Sequence, residues 1–140
     1  MGFMNFENLG KSSAEVLASK TRATLRGLCA ASENVEATAL VSHDGLIIAS
    51  VMSKEVDADR FGAMCASLLA LANRAAKEVS RGDLRQIILD GSLGPMLLTR
   101  AGDVGVLAVA ASPAAKLGQL ILETRNTARA LSELATSQKD

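Results

Sequence analysis

The sequence has one histidine, two cysteines, two prolines, three phenylalanines and neither tryptophan nor tyrosine. Each shortage excludes a chemistry. A lone histidine, His43, supplies neither a His-clustered metal site nor a pair of acid–base imidazoles. Two cysteines, Cys29 and Cys65, cannot make a zinc site alone and allow one disulfide at most. With aromatics only at Phe3, Phe6 and Phe61, the usual stacking platforms for single-stranded nucleic acid are missing. So is most of the aromatic material of interface hot spots. Fifteen basic residues offset fifteen acidic ones, which leaves no electrostatic footprint for nucleic acid or an anionic membrane. No run approaches the ~18 consecutive apolar residues of a membrane span. The first ten residues, MGFMNFENLG, lack the basic start and apolar run of a signal peptide, and Phe6 stands where a myristoylation signal needs Ser or Thr. A reducing cytoplasm is therefore the expected compartment.

What remains is a 140-residue chain, 49% hydrophobic and 21% charged, the make-up of a single globular domain around one core. Its 24 alanines favour closely packed helices. Residues 1–10 read as a flexible arm, 11–136 as the domain and 137–140 as a polar tail.

Ser12 and Glu15 form a capping box that opens a helix to about Ala31, with Leu17, Thr21, Leu25 and Leu28 on its apolar stripe. Val35 to Ser42 reads as a strand. Asp44-Gly45 then signals a hairpin, because glycine tolerates positive φ. Leu46 to Val51 is the return strand, apolar on both faces and so expected to be covered on both. Asp57 caps a second helix, about Ala58 to Ser80. Leu84 to Asp90, Pro95 to Arg100 and Val104 to Ala110 follow as three strands joined by tight turns. Ser112-Pro113 is read as the start of a third helix, with Pro at its first position. The order is helix, two strands, helix, three strands, helix: an α/β sandwich with helices on both faces of an antiparallel sheet.

The second helix carries three stripes at helical spacing. Phe61, Leu68, Leu71, Ala72, Ala75 and Val79 are expected to face the sheet. Gly62, Ala66, Ala70 and Asn73, then Lys77, form a neighbouring stripe of small residues. That stripe suits the close approach of another helix, although alanine is common here and favours helices anyway. Arg60, Ser67, Arg74, Glu78 and Arg81 lie on the third side. Arg74, Lys77, Arg81 and Arg85 cluster at the helix end, either as a solvated face well placed for the helix dipole or as a patch that steers an acidic partner.

Catalytic signals are few. Cys29 and Cys65 sit at helical core positions, and His43 sits in a turn. Gly91-Ser92-Leu93-Gly94 joins two strands, whereas a phosphate loop opens a helix. Arg81-Gly82-Asp83 reads as a helix stop, and Asp57 and Asp59 as capping and dipole residues. No cofactor, metal or catalytic constellation is expected.

The pattern as a whole resembles the roadblock family, related to the roadblock light chain of dynein, and the bacterial polarity regulators that pair with a Ras-like GTPase. The resemblance covers about residues 20–135. It rests on strand, Asp44-Gly45-Leu46, strand; on Asp57 and the Ala-rich helix; on Leu84–Asp90, Gly94 and Met96–Thr99; and on Val106–Ala110 and Lys116-Leu117-Gly118. It implies a profilin-like sandwich with strand order 2-1-5-4-3, the second helix on one face and the first and third on the other. It also implies a homodimer joined through the third strands, with second helices side by side. On that reading the interface holds Gly62, Ala66, Ala70, Asn73, Lys77, Arg85, Ile87 and Leu89, and Arg60, Arg74 and Arg81 are available to a partner. The implied role is a non-enzymatic scaffold or regulator of a small GTPase, a GTPase-activating role included. A structural adaptor in a motor or trafficking complex, and a small-molecule sensor or enzyme, are the alternatives.

Overall fold

Local chemistry sets the element ends. The computed structural model describes residues 12–138. Helix α1, Ser13–Ala31, starts where the Glu15 amide donates to Ser12 Oγ at 3.1 Å, half of the expected capping box. Strand β1, Val35–Val41, and strand β2, Ile47–Val51, flank the Asp44-Gly45 turn, where Gly45 has φ +88°. Helix α2, Ala58–Glu78, is capped by Asp57, which accepts from the Arg60 amide at 3.1 Å. It ends two residues before the expected Ser80, because Ser80 and Gly82 adopt left-handed φ of 58° and 81°. Strands β3, Gln86–Gly91, β4, Gly94–Ala101, and β5, Gly105–Ala111, then follow.

Helix α3, Leu117–Gln138, begins four residues after Pro113, a correction to the expected start. Ser112 is tied down instead. Its amide donates to the Asn34 carbonyl at 2.8 Å and its hydroxyl to Asn34 Oδ1 at 3.1 Å. The chain must complete a turn, closed by the Ala115 amide on the Ser112 carbonyl, before it can wind up. At its other end the helix continues into the expected polar tail. Residues 139–140 and the expected arm, 1–10, lie outside the described residues.

The five strands form one antiparallel sheet in the order β2-β1-β5-β4-β3. Side chains alternate across it, and two cores result. Leu40, Leu97, Leu107 and Val109 pack with Leu25 and Leu28 of α1 and Leu120, Ala128 and Leu131 of α3. On the other face Ala39, Val41, Leu98, Val106 and Ala108 pack under α2, with Cys65 at their centre. The architecture is the profilin-like sandwich: α2 alone on one face, α1 and α3 together on the other. Two helices cover most of one face. A single helix cannot cover five strands, and β3 at the sheet edge is left partly open.

Candidate functional site

The arrangement of α2 on the sheet decides what the surface presents. Gly62 and Cys65 are the buried residues of this helix. A Cβ at Gly62 would run into the Gly45 carbonyl oxygen, and the next nearest side-chain atom is Ile47 Cδ1 at 3.2 Å. Only a glycine lets the helix backbone come down onto the hairpin this closely. Gly62, Ala66 and Asn73 of the small stripe are therefore turned inward, while Ala70 and Lys77 stay exposed. Asn73 is half-buried and its Oδ1 accepts from the Leu84 amide at 3.0 Å. Ala66 is half-buried beside Gly45. Gly62 is thus buried against the hairpin, and Asn73 secures the entry to β3.

The same rotation lifts part of the expected sheet-facing side into solvent. Leu71 is 65% exposed and Val79 62%, and Met64, which belongs to none of the expected stripes, is 61% exposed. Phe61, Met64, Leu68 and Leu71 of α2, with Leu89 of β3 and Met96 of β4, line an apolar groove of about 560 Å³. One signal in the sequence marks this outcome. Gly62, Cys65 and Leu69 also recur at helical spacing, and the sheet receives these together with Phe61 and Leu68 of the expected side.

Beside the groove runs the outer edge of β3, with which no strand pairs among the described residues. Ile87 packs into the core under α2. Ile88 and Leu89 are 44% and 36% exposed, and Arg85 is exposed at the strand entry. A flat apolar edge with unpaired backbone groups is a template for another strand. Here it adjoins exposed apolar side chains on one helix, and together they make one continuous surface.

Cations rim this surface without converging. Arg60 lines the groove and lies 3.9 Å from Asp57, with both side chains largely in water. Lys77 lies 3.7 Å from Asp83. Arg81 Nε donates to the Val79 carbonyl at 3.1 Å, and Arg74 is exposed. Such surface pairs contribute little to stability, so these charges remain available to steer an encounter.

The Roadblock/LC7 domain model matches residues 9–111 of the chain. The chain belongs to the Roadblock/LC7 family. The match ends with the last residue of β5, so α3 completes this roadblock domain beyond the matched span. Two uncharacterized proteins of Methanocaldococcus jannaschii are each 33% identical to it over 96 residues, 69% of this chain and 83% of theirs. Among solved structures, Myxococcus xanthus MglB superposes with a TM-score of 0.80 at 20% identity, over 86% of this chain and 91% of that one. A chain of the LokiProfilin2–rabbit actin complex superposes with a TM-score of 0.54 at 17% identity, over 82% and 97%. At these identities the structures speak for the fold.

Of the remaining reactive groups of the roadblock chain, Cys65 is buried in the lining of the groove, and Cys29 and His43 lie away from it. Burial pushes the Cys65 thiol up to about 11, and raises that of Cys29 as well. Both stay protonated near neutrality, so neither is a ready nucleophile. His43 is exposed, and its Nε2 donates to the Asp103 carbonyl at 2.9 Å. That bond joins the β1–β2 turn to the β4–β5 turn. Among the described residues no three His, Cys, Asp or Glu side chains gather as a metal site, and no helix is long and apolar enough to cross a membrane.

Proposed function

We propose that this roadblock protein is a homodimeric, non-catalytic regulator or scaffold of the cytoplasm that binds a Ras-like small GTPase and modulates its nucleotide cycle. The observation that carries the reading is the continuous apolar surface of Met64, Leu68, Leu71 and Leu89 beside the open β3 edge. A second copy covers it when β3 strands join and α2 helices lie side by side, the arrangement its family resemblance implies. Ala70, Lys77, Arg85, Ile87 and Leu89 keep their places in that interface, and Met64 and Leu71 replace Gly62 at its centre.

The GTPase takes the outer side of the paired α2 helices and their ends, where Arg60, Arg74 and Arg81 stand. Such cationic rims set association rate and salt dependence more than final affinity. A preference for the GTP form follows if the surface reads switch segments, which order around the γ-phosphate. If the dimer speeds hydrolysis, it does so by ordering the GTPase's own groups or by supplying one of these arginines. The test is to titrate the purified protein into GTP-analogue and GDP forms of a Ras-like GTPase encoded beside it. Tighter binding of the GTP form supports the reading, equal affinity reduces it to a passive scaffold, and no binding to either form overturns it.

A further inference from the structure

The hydrogen-bonding pattern of β3 points to a specific register for a second copy of this chain. The Arg100 amide donates to the Arg85 carbonyl at 3.1 Å, and the ladder runs on through Ile87↔Leu98, Leu89↔Met96 and Gly91↔Gly94. In an antiparallel pair, residues that turn N–H and C=O towards the neighbour alternate with residues that turn both away. Arg85, Ile87, Leu89 and Gly91 therefore address β4. Gln86, Ile88 and Asp90 turn theirs to the open edge, and none of the three has a backbone partner elsewhere among the described residues. The edge thus offers three evenly spaced residues with Ile88 in the middle.

We infer that the two-fold axis of the dimer passes through Ile88, a refinement that rests on the dimer proposed above. With both α2 helices on the same face, the axis stands perpendicular to the sheet, and each residue must meet a residue of its own face. Only registers in which the two residue numbers sum to an even value do so. Of these, Ile88 opposite the partner's Ile88 engages all three outward residues: Gln86 meets the partner's Asp90, and Asp90 the partner's Gln86. Three mutually bonded pairs make six backbone hydrogen bonds. Shifting the axis to Ile87 or Leu89 leaves one outward residue of each copy facing a partner residue beyond β3, and two pairs remain.

Side chains agree with the centred register. Ile87 and the partner's Leu89 become direct neighbours on the α2 face, beneath the two apolar grooves. Cross-strand apolar pairs of this kind contribute to sheet stability. On the other face the Gln86 amide, which donates one hydrogen to Thr99 Oγ1 at 2.8 Å, keeps its second for the partner's Asp90 carboxylate. Centring on Ile87 would instead set Leu89 against the partner's Arg85, placing a cation in the apolar row.

Three single-cysteine variants, Gln86→Cys, Ile88→Cys and Asp90→Cys, test this in a Cys29→Ala, Cys65→Ala background carrying nitroxide labels. Light scattering first reads the assembly state, and electron spin resonance then reads the label separation. The centred register predicts the shortest separation at position 88 and equal, longer ones at 86 and 90. Those two differ from 88 by about 13 Å along the strand, at ~3.3 Å per residue. A dimer in which 86 and 88 match and 90 is longest places the axis at Ile87 and overturns the register alone. A monomeric parent overturns the dimer and the register together. Should the background variant fail to fold, the parent mixed with isotope-labelled parent gives the same answer. The deciding signal is then an intersubunit amide contact from Ile88 to the partner's Ile88, and its absence in a dimer contradicts the axis.

Discussion

Gly62 of α2 lies against the backbone of Gly45 in the β1–β2 turn, so close that a side chain at Gly62 would strike the Gly45 carbonyl. Two glycines seventeen positions apart thereby set how far the helix sinks onto the sheet and which of its faces stays outside. Gly62→Ala must push α2 away from the hairpin, because backbone and not a flexible side chain stands in the way. Overpacking of this kind costs about 1–3 kcal/mol. Chemical denaturation of the variant should show that loss, and parental stability would mean that the contact is looser than described.

How much of this was legible follows from which interactions are local. The Ser12 and Asp57 caps, the Asp44-Gly45 turn and the strand order all follow from residues near in sequence or from the resemblance they support. The rotation of α2 does not. Two apolar stripes run along that helix, and the broader one, with Leu71 and Val79, looks like the sheet-facing side. Phe61 and Leu68 of it do pack there, but Leu71 and Val79 are turned out because Gly62 fits the hairpin, a contact between distant segments that helical periodicity cannot register. The start of α3 was hidden for a similar reason: Pro113 is a good first residue, but Asn34 holds Ser112 from another part of the chain.

Thr21, Thr38 and Thr124 are buried with hydroxyls that find no hydrogen-bond partner among the described residues. A buried unpaired hydroxyl costs about 1–3 kcal/mol of desolvation. Replacing it with a methyl of the same shape removes that cost. Thr21→Val and Thr124→Val should each raise the unfolding midpoint, apart from a small helix-propensity loss. A marked destabilisation in both would show that the hydroxyls are bonded after all.

The buried Cys65 thiol gives stability a pH dependence. Its folded value of about 11 lies above the ordinary thiol value of 9.0, so the folded state favours the neutral thiol. This contribution is fully present below about pH 9 and is lost as pH rises towards 11. Unfolding free energy of the parent should therefore fall more steeply over that interval than that of Cys65→Ala, whatever their difference at pH 7. Parallel curves would contradict it.

Charge at the end of α2 should act on encounter. Arg74→Glu with Arg81→Glu should slow association with the GTPase and weaken its salt dependence, while leaving assembly state intact. Stopped-flow association at several ionic strengths reads this directly. An unchanged rate with an unchanged salt slope would remove these arginines from the partner surface.

The most direct test of the whole account is the assembly state of Met64→Glu with Leu71→Arg, compared with the parent by sedimentation equilibrium at micromolar concentration. Both side chains are largely exposed in the isolated subunit, so the substitutions should leave its own fold intact. In the dimer they would bury charge against apolar neighbours, at a cost of several kcal/mol. The account predicts a dimeric parent and a folded, monomeric variant. A monomeric parent, or a variant that dimerises as tightly as the parent, would contradict it.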